Sequence, residues 1–492
     1  MHVGQIVGTR DLADVGALHH DRPRCAAEVD GVDDDERVGT REQLLDEMDA
    51  ADPDVEHLNP LRDRLLEQAV GHRDAEAVVS TQDVADTRDN DPHVEQDRGQ
   101  MEPILELEQR LARYDAVRYP IQHATTRFHL GVVLADAGRV EEAIESLASA
   151  AELFDPDALP VEHAKAVNAL GAALRLAGDV ESAGASFERA AGLFESSNLE
   201  PEQGAALFNL GLVRRERDPV AAAGCFRRAA ALLTGGQEAA AARELGATLL
   251  ALGELDEATR TLEKAVELAE GGDATGYGGA LNALGLARLA EGRLQGAVDA
   301  FRQAAAAHPR AVRPAEFAMA KANLALAHEQ RGDAPRARLA ARQALGVAEL
   351  PAPVAVQSAA VLERIGGATA HDLQLVLDLE PQASWEGIVR EELARSVEAP
   401  PAERQEDSAT WIDGSSVERT ETWLGCLLEL PPESMESLVR SALEALGSRD
   451  ALAKERFHAD VSRAAARFHV PQLLRLEEVF RRIAAELGEP WS

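Results

Sequence analysis

Six copies of one residue pattern fill the stretch from Leu130 to Ala344, and a chain built this way cannot close around a single globular core. The copies are led by Leu130, Leu170, Leu210, Leu245, Leu284 and Leu324; Gly follows the first five and Ala325 the last. The intervals between them are 40, 40, 35, 39 and 40 residues. An inner alanine comes next in each copy: Ala143, Ala183, Ala222, Ala258, Ala297 and Ala337. Four residues later stands Leu147, Phe187, Phe226, Leu262 or Phe301, with Ala341 in the sixth copy. Ala150, Ala190, Ala229, Ala265, Ala304 and Ala344 close the copies.

Spacings of three and four residues bury one stripe of a helix. Two such stripes in each copy, separated by a Gly at 138, 178, 253, 292 or 332, predict a pair of antiparallel helices. The third copy turns through Asp218-Pro219 instead. The small residues let the two helices approach, and the bulky one fills the space beside them. Pro120, Pro160, Pro201 and Pro314 each precede a first helix and mark its start, where a missing N–H costs nothing. The expected fold is all-α: a right-handed superhelical α-solenoid of hairpins over 120–350, preceded by a capping helix over 101–119.

At this register the chain resembles the tetratricopeptide repeat family, whose pattern reads L-G-x2-Y … A-x3-F. The usual early aromatic is replaced by Arg127, Val167, Leu207, Ala242, Leu281 and Lys321. The family's Tyr is Leu134, Leu174 or Leu249 here, and otherwise Arg214, Arg288 or His328. Most intervals exceed the family's length of about 34 residues, as in its longer-helix bacterial type.

The formal charge of −36, from 86 acidic and 50 basic residues, disfavours nucleic acid and anionic membranes, whose phosphates need clustered Lys and Arg. No apolar run has the length of a membrane span, and no export signal is evident. Three well-separated cysteines, Cys25, Cys225 and Cys426, suit a reducing compartment, so a cytoplasmic location is expected.

Residues 1–100 carry 26 acidic and 10 basic residues and no Phe, Tyr, Trp or Lys. Such a segment cannot assemble a core and reads as a disordered acidic tail. A second reading also fits. The whole chain has only four lysines, which suggests a GC-rich gene, and a misread frame in such a gene gives a similar composition. On that reading translation starts at Met101.

After residue 350 the repeat fades, and all four tryptophans lie in 351–492. Two or three helices are expected over 353–397, a linker at about 398–416, and four helices beyond it. The last has Leu473, Leu476, Phe480, Ile483 and Leu487 spaced 3, 4, 3, 4. That stripe either packs on the preceding Phe457/Val461/Phe468 helix or pairs with a second chain to form a homodimer.

No phosphate-cradling or dinucleotide-binding glycine motif occurs, nor any His-Glu-x-x-His or Cys-x-x-Cys pattern, so no catalytic residue, metal or cofactor is expected. His19-His20 has no partners at metal spacing, and His458 and His469 read as ordinary helix-surface histidines. The binding face is more informative. In the family that this chain resembles, first helices line a concave groove, and residues just before the Leu-Gly pair point into it. Here those positions supply Asn168, Asn209, Asn282 and Asn323, joined by Lys165, Phe128, Arg175 and Arg215. Asparagine both donates and accepts, so it can hold a peptide backbone, or it can simply tolerate an exposed helix face. The expected function is a non-enzymatic scaffold or adaptor binding a protein or peptide in the groove. The alternative is a regulatory sensor binding a small effector there or in the C-terminal helices.

Overall fold

The computed structural model describes the backbone of residues 92–491 and the side chains of residues 103–491. The acidic segment before Pro92, with His19, His20 and Cys25, lies outside the described residues. Twenty-one α-helices and no strand occur among the described residues. They fall into two compact units, one ending at Gly272 and the other starting at Asp273.

The first unit opens with α1 (Pro92–Arg113), which starts before the expected position 101 and stops at Arg113. The chain then turns, and Asp115 accepts from the backbone N–H groups of Val117 and Arg118 at 3.0 and 3.2 Å. Four hairpins follow: α2 (Pro120–Asp136) with α3 (Val140–Leu153), and α4 (Pro160–Leu176) with α5 (Val180–Ser196). Next come α6 (Glu200–Arg214) with α7 (Pro219–Leu232), and α8 (Gly235–Leu252) with α9 (Leu255–Ala269). The second unit begins with two more: α10 (Ala274–Ala290) with α11 (Leu294–Ala307), and α12 (Pro314–Gln330) with α13 (Ala334–Leu345). Within each unit, each successive helix of these hairpins packs on its predecessor.

The packing follows from side-chain size. All twelve inner and closing alanines are 0% exposed, because helices seat directly against them. A methyl group added at Gly211 would lie 2.6 Å from the Phe226 ring, and one at Gly285 would lie 2.4 Å from Phe301. The glycines therefore create the slot that the bulky residue fills, and each buried Phe contributes roughly 2–3 kcal/mol of transfer free energy. In the sixth copy Gly plus Phe becomes Ala325 plus Ala341, both fully buried, so the volume is redistributed across the pair. The turn glycines Gly138, Gly178, Gly253, Gly292 and Gly332 all sit at φ of 74° to 81°, where a side chain would be strained.

Beyond α13, the second unit continues through α14 (Ala352–Ile365), α15 (Asp372–Leu379) and α16 (Trp385–Glu398). The expected linker at 398–416 is corrected. It is mostly a helix, α17 (Pro401–Asp413), with Thr410, Trp411 and Ile412 buried. Pro400-Pro401 reads as a loop signal, yet Pro401 stands in the first helical turn, where proline is tolerated. Then come α18 (Val417–Glu429), α19 (Pro432–Gly447), α20 (Ala451–Ala465) and α21 (Val470–Leu487).

These helices share a core in which Trp411 and Trp423 stack at 6.1 Å and Trp423 meets Phe457 and Phe480 edge-on. Leu476, Phe480 and Ile483 are buried in it, and α21 packs chiefly on α19. The apolar stripe of α21 is thus used inside its own unit and is not free to pair with a second chain.

A buried ion network joins α13, α16 and α17. Arg395 donates to Glu392 at 2.8 Å, to Glu403 at 2.6 Å and to Asp407. Arg342 pairs with Glu392 at 3.2 Å, with Glu403 at 3.3 Å and with Asp407. Two guanidinium groups therefore face three carboxylates. Burial pushes the Glu392 carboxyl above its ordinary value, although Arg395 and Arg342 oppose the shift.

Candidate partner-binding face

The eight residues expected to line the groove divide between the units. Phe128, Lys165, Asn168, Arg175 and Asn209 stand on α2, α4 and α6 of the first unit and Arg215 at the C-terminal cap of α6, while Asn282 and Asn323 stand on α10 and α12 of the second.

On α4, Lys165, Asn168 and Arg175 are spaced three and seven residues apart, so they lie along one stripe of the helix. Lys165 is exposed, whereas Asn168 and Arg175 are half-buried. Phe128 is half-buried against the apolar cores around α2. Arg215 pairs with Glu244 of α8 at 2.7 Å, and Arg243 pairs with the same carboxylate at 3.0 Å. Neither Glu244 nor Arg243 was among the expected residues. Arg243 and Glu244 stand two and one residues before Leu245, the same offsets that singled out the asparagines, so the repeat register could have found them.

The asparagines form two equivalent pairs. In each, the first Asn stands two residues before its repeat leucine, and the second stands one residue before the next, 41 residues on. In the second unit the pair is closed: Asn323 Nδ2 donates to Asn282 Oδ1 at 3.0 Å. Gln357 of α14 then donates its Nε2 to Asn323 Oδ1 at 2.9 Å. Asn323 and Asn282 are buried, and the amide groups that would contact a partner are bonded to each other and to Gln357, so both are corrected as groove contacts. Their amides are used in a ladder between neighbouring helices. Gln357 lies beyond the clear repeat, where the register gave no reason to look for it.

In the first unit the corresponding atoms stay unpaired. Asn209 Nδ2 and Asn168 Oδ1 are buried without a hydrogen-bond partner. Asn209 itself is only 2% exposed. These are the donor and acceptor that the other pair joins. A buried, unpaired amide costs about 1–3 kcal/mol, so the first unit carries an unmet acceptor and donor that the second has joined.

The remaining candidates have structural partners. The Lys321 ammonium, at the position of the family's early aromatic, bonds Glu391 of α16 and lies 5.3 Å from the Phe317 ring centroid. Imidazoles pin hairpin ends: His123 Nδ1 bonds the Tyr114 carbonyl at 2.6 Å, and His163 Nδ1 bonds that of Ala151 at 2.9 Å. His458 packs against Trp491 at 4.5 Å, and His469 caps the start of α21. Cys225 is a buried core residue beside Arg214. The Cys426 thiol is pushed up to about 12, chiefly by burial. No described helix is long and apolar enough to cross a membrane.

Among known proteins, the family profile described as tetratricopeptide repeat matches residues 244–271, from the second half of α8 to just past the end of α9. No curated protein matches the chain. Among solved structures, BtubC (BKLC) from P. vanneervenii is 18% identical with a TM-score of 0.38, covering 44% of this chain and 91% of that one. The hetero-tetramer Cut9-Hcn1 of the APC/C is 16% identical with a TM-score of 0.39, covering 53% and 46%. A Rap protein complexed with competence and sporulation factor is 14% identical with a TM-score of 0.36, covering 79% and 99%. The tetratricopeptide repeat is thus matched by sequence in one hairpin, and four further hairpins repeat its small-and-bulky packing.

Proposed function

We propose that the chain is a non-catalytic, cytoplasmic scaffold whose first unit holds an extended peptide segment of a protein partner across α4 and α6. The observation that carries this reading is the open pair, Asn168 Oδ1 and Asn209 Nδ2, buried and unpaired where the second unit joins the same two atoms. A peptide group offers one N–H and one C=O, the complement of that acceptor and donor. Lys165, exposed one turn before Asn168 and outside any ion pair among the described residues, favours an acidic side chain on the peptide. Self-association through the C-terminal helices belongs to the same scaffold reading.

The test is selection of a random peptide library on the purified chain, followed by calorimetry of the selected sequences. Micromolar binding, roughly −8 kcal/mol, is expected for a groove of this kind. Asn168→Ala combined with Asn209→Leu should weaken it at least tenfold while the melting temperature holds. Unchanged affinity in that variant sinks the assignment.

A further inference from the structure

The outward side of α21 carries a second stripe, opposite the buried one: Pro471, Leu474, Glu478, Arg481, Ala485 and Gly488, spaced 3, 4, 3, 4, 3 and all exposed. Leu474 is 58% exposed and the Arg481 side chain 69%. Glu478 forms no ion pair among the described residues, whereas Arg481 reaches only Glu477 of its own helix, at 3.5 Å.

The stripe is symmetric about the point midway between Val479 and Phe480. Leu474 lies as far before that point as Ala485 lies after it. Glu478 and Arg481 flank it equally, and so do Glu477 and Arg482. Acid before the centre is matched by base after it. A two-fold contact needs this property, because residue i must meet residue j while j meets i. Laid antiparallel on a second copy, Glu478 meets Arg481 twice, and Leu474 meets Ala485 twice. Laid parallel, Glu478 would face Glu478, and like charges repel. A different partner would place no symmetry requirement on the stripe.

We propose that two copies of this chain associate antiparallel through the outward stripe of α21, with Glu478 of each copy against Arg481 of the other. The proposal deepens the self-association in the scaffold reading and assigns it to a face that the unit's own core leaves free. A helix of 18 residues spans about 27 Å, so one helix pair buries less than a standard interface. The dimer is accordingly weak, and its exposed charges make it sensitive to salt.

Sedimentation velocity of the full chain over a wide concentration series tests this. The wild type should pass from monomer to dimer as concentration rises. Glu478→Arg alone and Arg481→Glu alone should each weaken association at least tenfold, since each sets like charges together. The double exchange Glu478→Arg/Arg481→Glu should restore it, and a mixture of the two single variants should form a mixed dimer. A wild type that stays monomeric throughout overturns the proposal. So do single variants that dimerise as the wild type does, or a double exchange that fails to restore association. Peptide capture by Asn168 and Asn209 is measured separately and stands or falls without it.

Discussion

Glu392 and Arg395 lie one turn apart on α16, bonded at 2.8 Å and both almost sealed from solvent, at 3% and 2% exposure. With Arg342, Glu403 and Asp407 they complete a network of two positive and three negative groups. Replacing Arg395 by Met leaves three carboxylates facing one guanidinium, and the expected loss is about 3–5 kcal/mol by denaturant unfolding. Glu392→Gln acts in the opposite direction. It balances the charge, and because burial raises the Glu392 pKa, the ionised carboxylate weighs against the fold as pH rises. The Gln variant should therefore melt higher than the wild type near pH 7, and the gap should close as acid protonates Glu392. A Gln variant that melts lower at pH 7 would count against this account.

Gly211 and Phe226 test the hairpin packing. Gly211→Ala should cost about 1–3 kcal/mol, since the added methyl would sit 2.6 Å from a ring that is itself fully buried. Phe226→Ala should cost about 3–5 kcal/mol through the cavity it leaves. The double variant reproduces the Ala325/Ala341 solution of the sixth copy. It should be more stable than the two losses predict together, by about 1 kcal/mol or more in a double-mutant cycle. Simple additivity would refute the shared-volume argument.

The two asparagine pairs should respond oppositely to the same chemistry. Asn323→Leu removes the buried hydrogen bonds to Asn282 Oδ1 and from Gln357 Nε2 and should destabilise the protein by about 2 kcal/mol or more. Asn209→Leu removes a buried donor that has no partner, so it should leave stability unchanged or raise it by about 1 kcal/mol. Thermal melts of the two variants decide the matter, and equal losses would mean that the first pair is closed in solution as well.

His328 supplies a pH dependence. Its imidazole is held down to about 4, chiefly by burial, against an ordinary value of 6.5, with Asp333 opposing the shift. The unfolded chain therefore takes up this proton before the folded one does. Its contribution to stability is complete above about pH 6.5 and falls away as pH drops towards 4, by up to about 3 kcal/mol. Comparing His328→Leu with the wild type across that range isolates the effect, and parallel stability curves would rule it out.

The hairpins were legible in the sequence because their logic is local. Gly171 and Phe187 are 16 residues apart, and their sizes alone require two close helices with a ring in the slot between them. The left-handed turn glycines and the helix-starting prolines are equally local signals, and each appears where the pattern places it. The helix over 401–413 was missed because proline marks a loop and a helix start with the same letter. The Arg342–Asp407 network was missed because its members span three helices, with no periodicity linking them.

For the site, the sequence named the asparagines but could not say which of them were already used. Both pairs share the same spacing and offsets, so they are indistinguishable as text. Whether an amide pair closes depends on an ångström or less of separation between neighbouring helices, because a hydrogen bond fades steeply beyond its optimum length. That separation is set by the packing of whole hairpins, and only the tertiary structure decided that Asn282 and Asn323 meet while Asn168 and Asn209 do not.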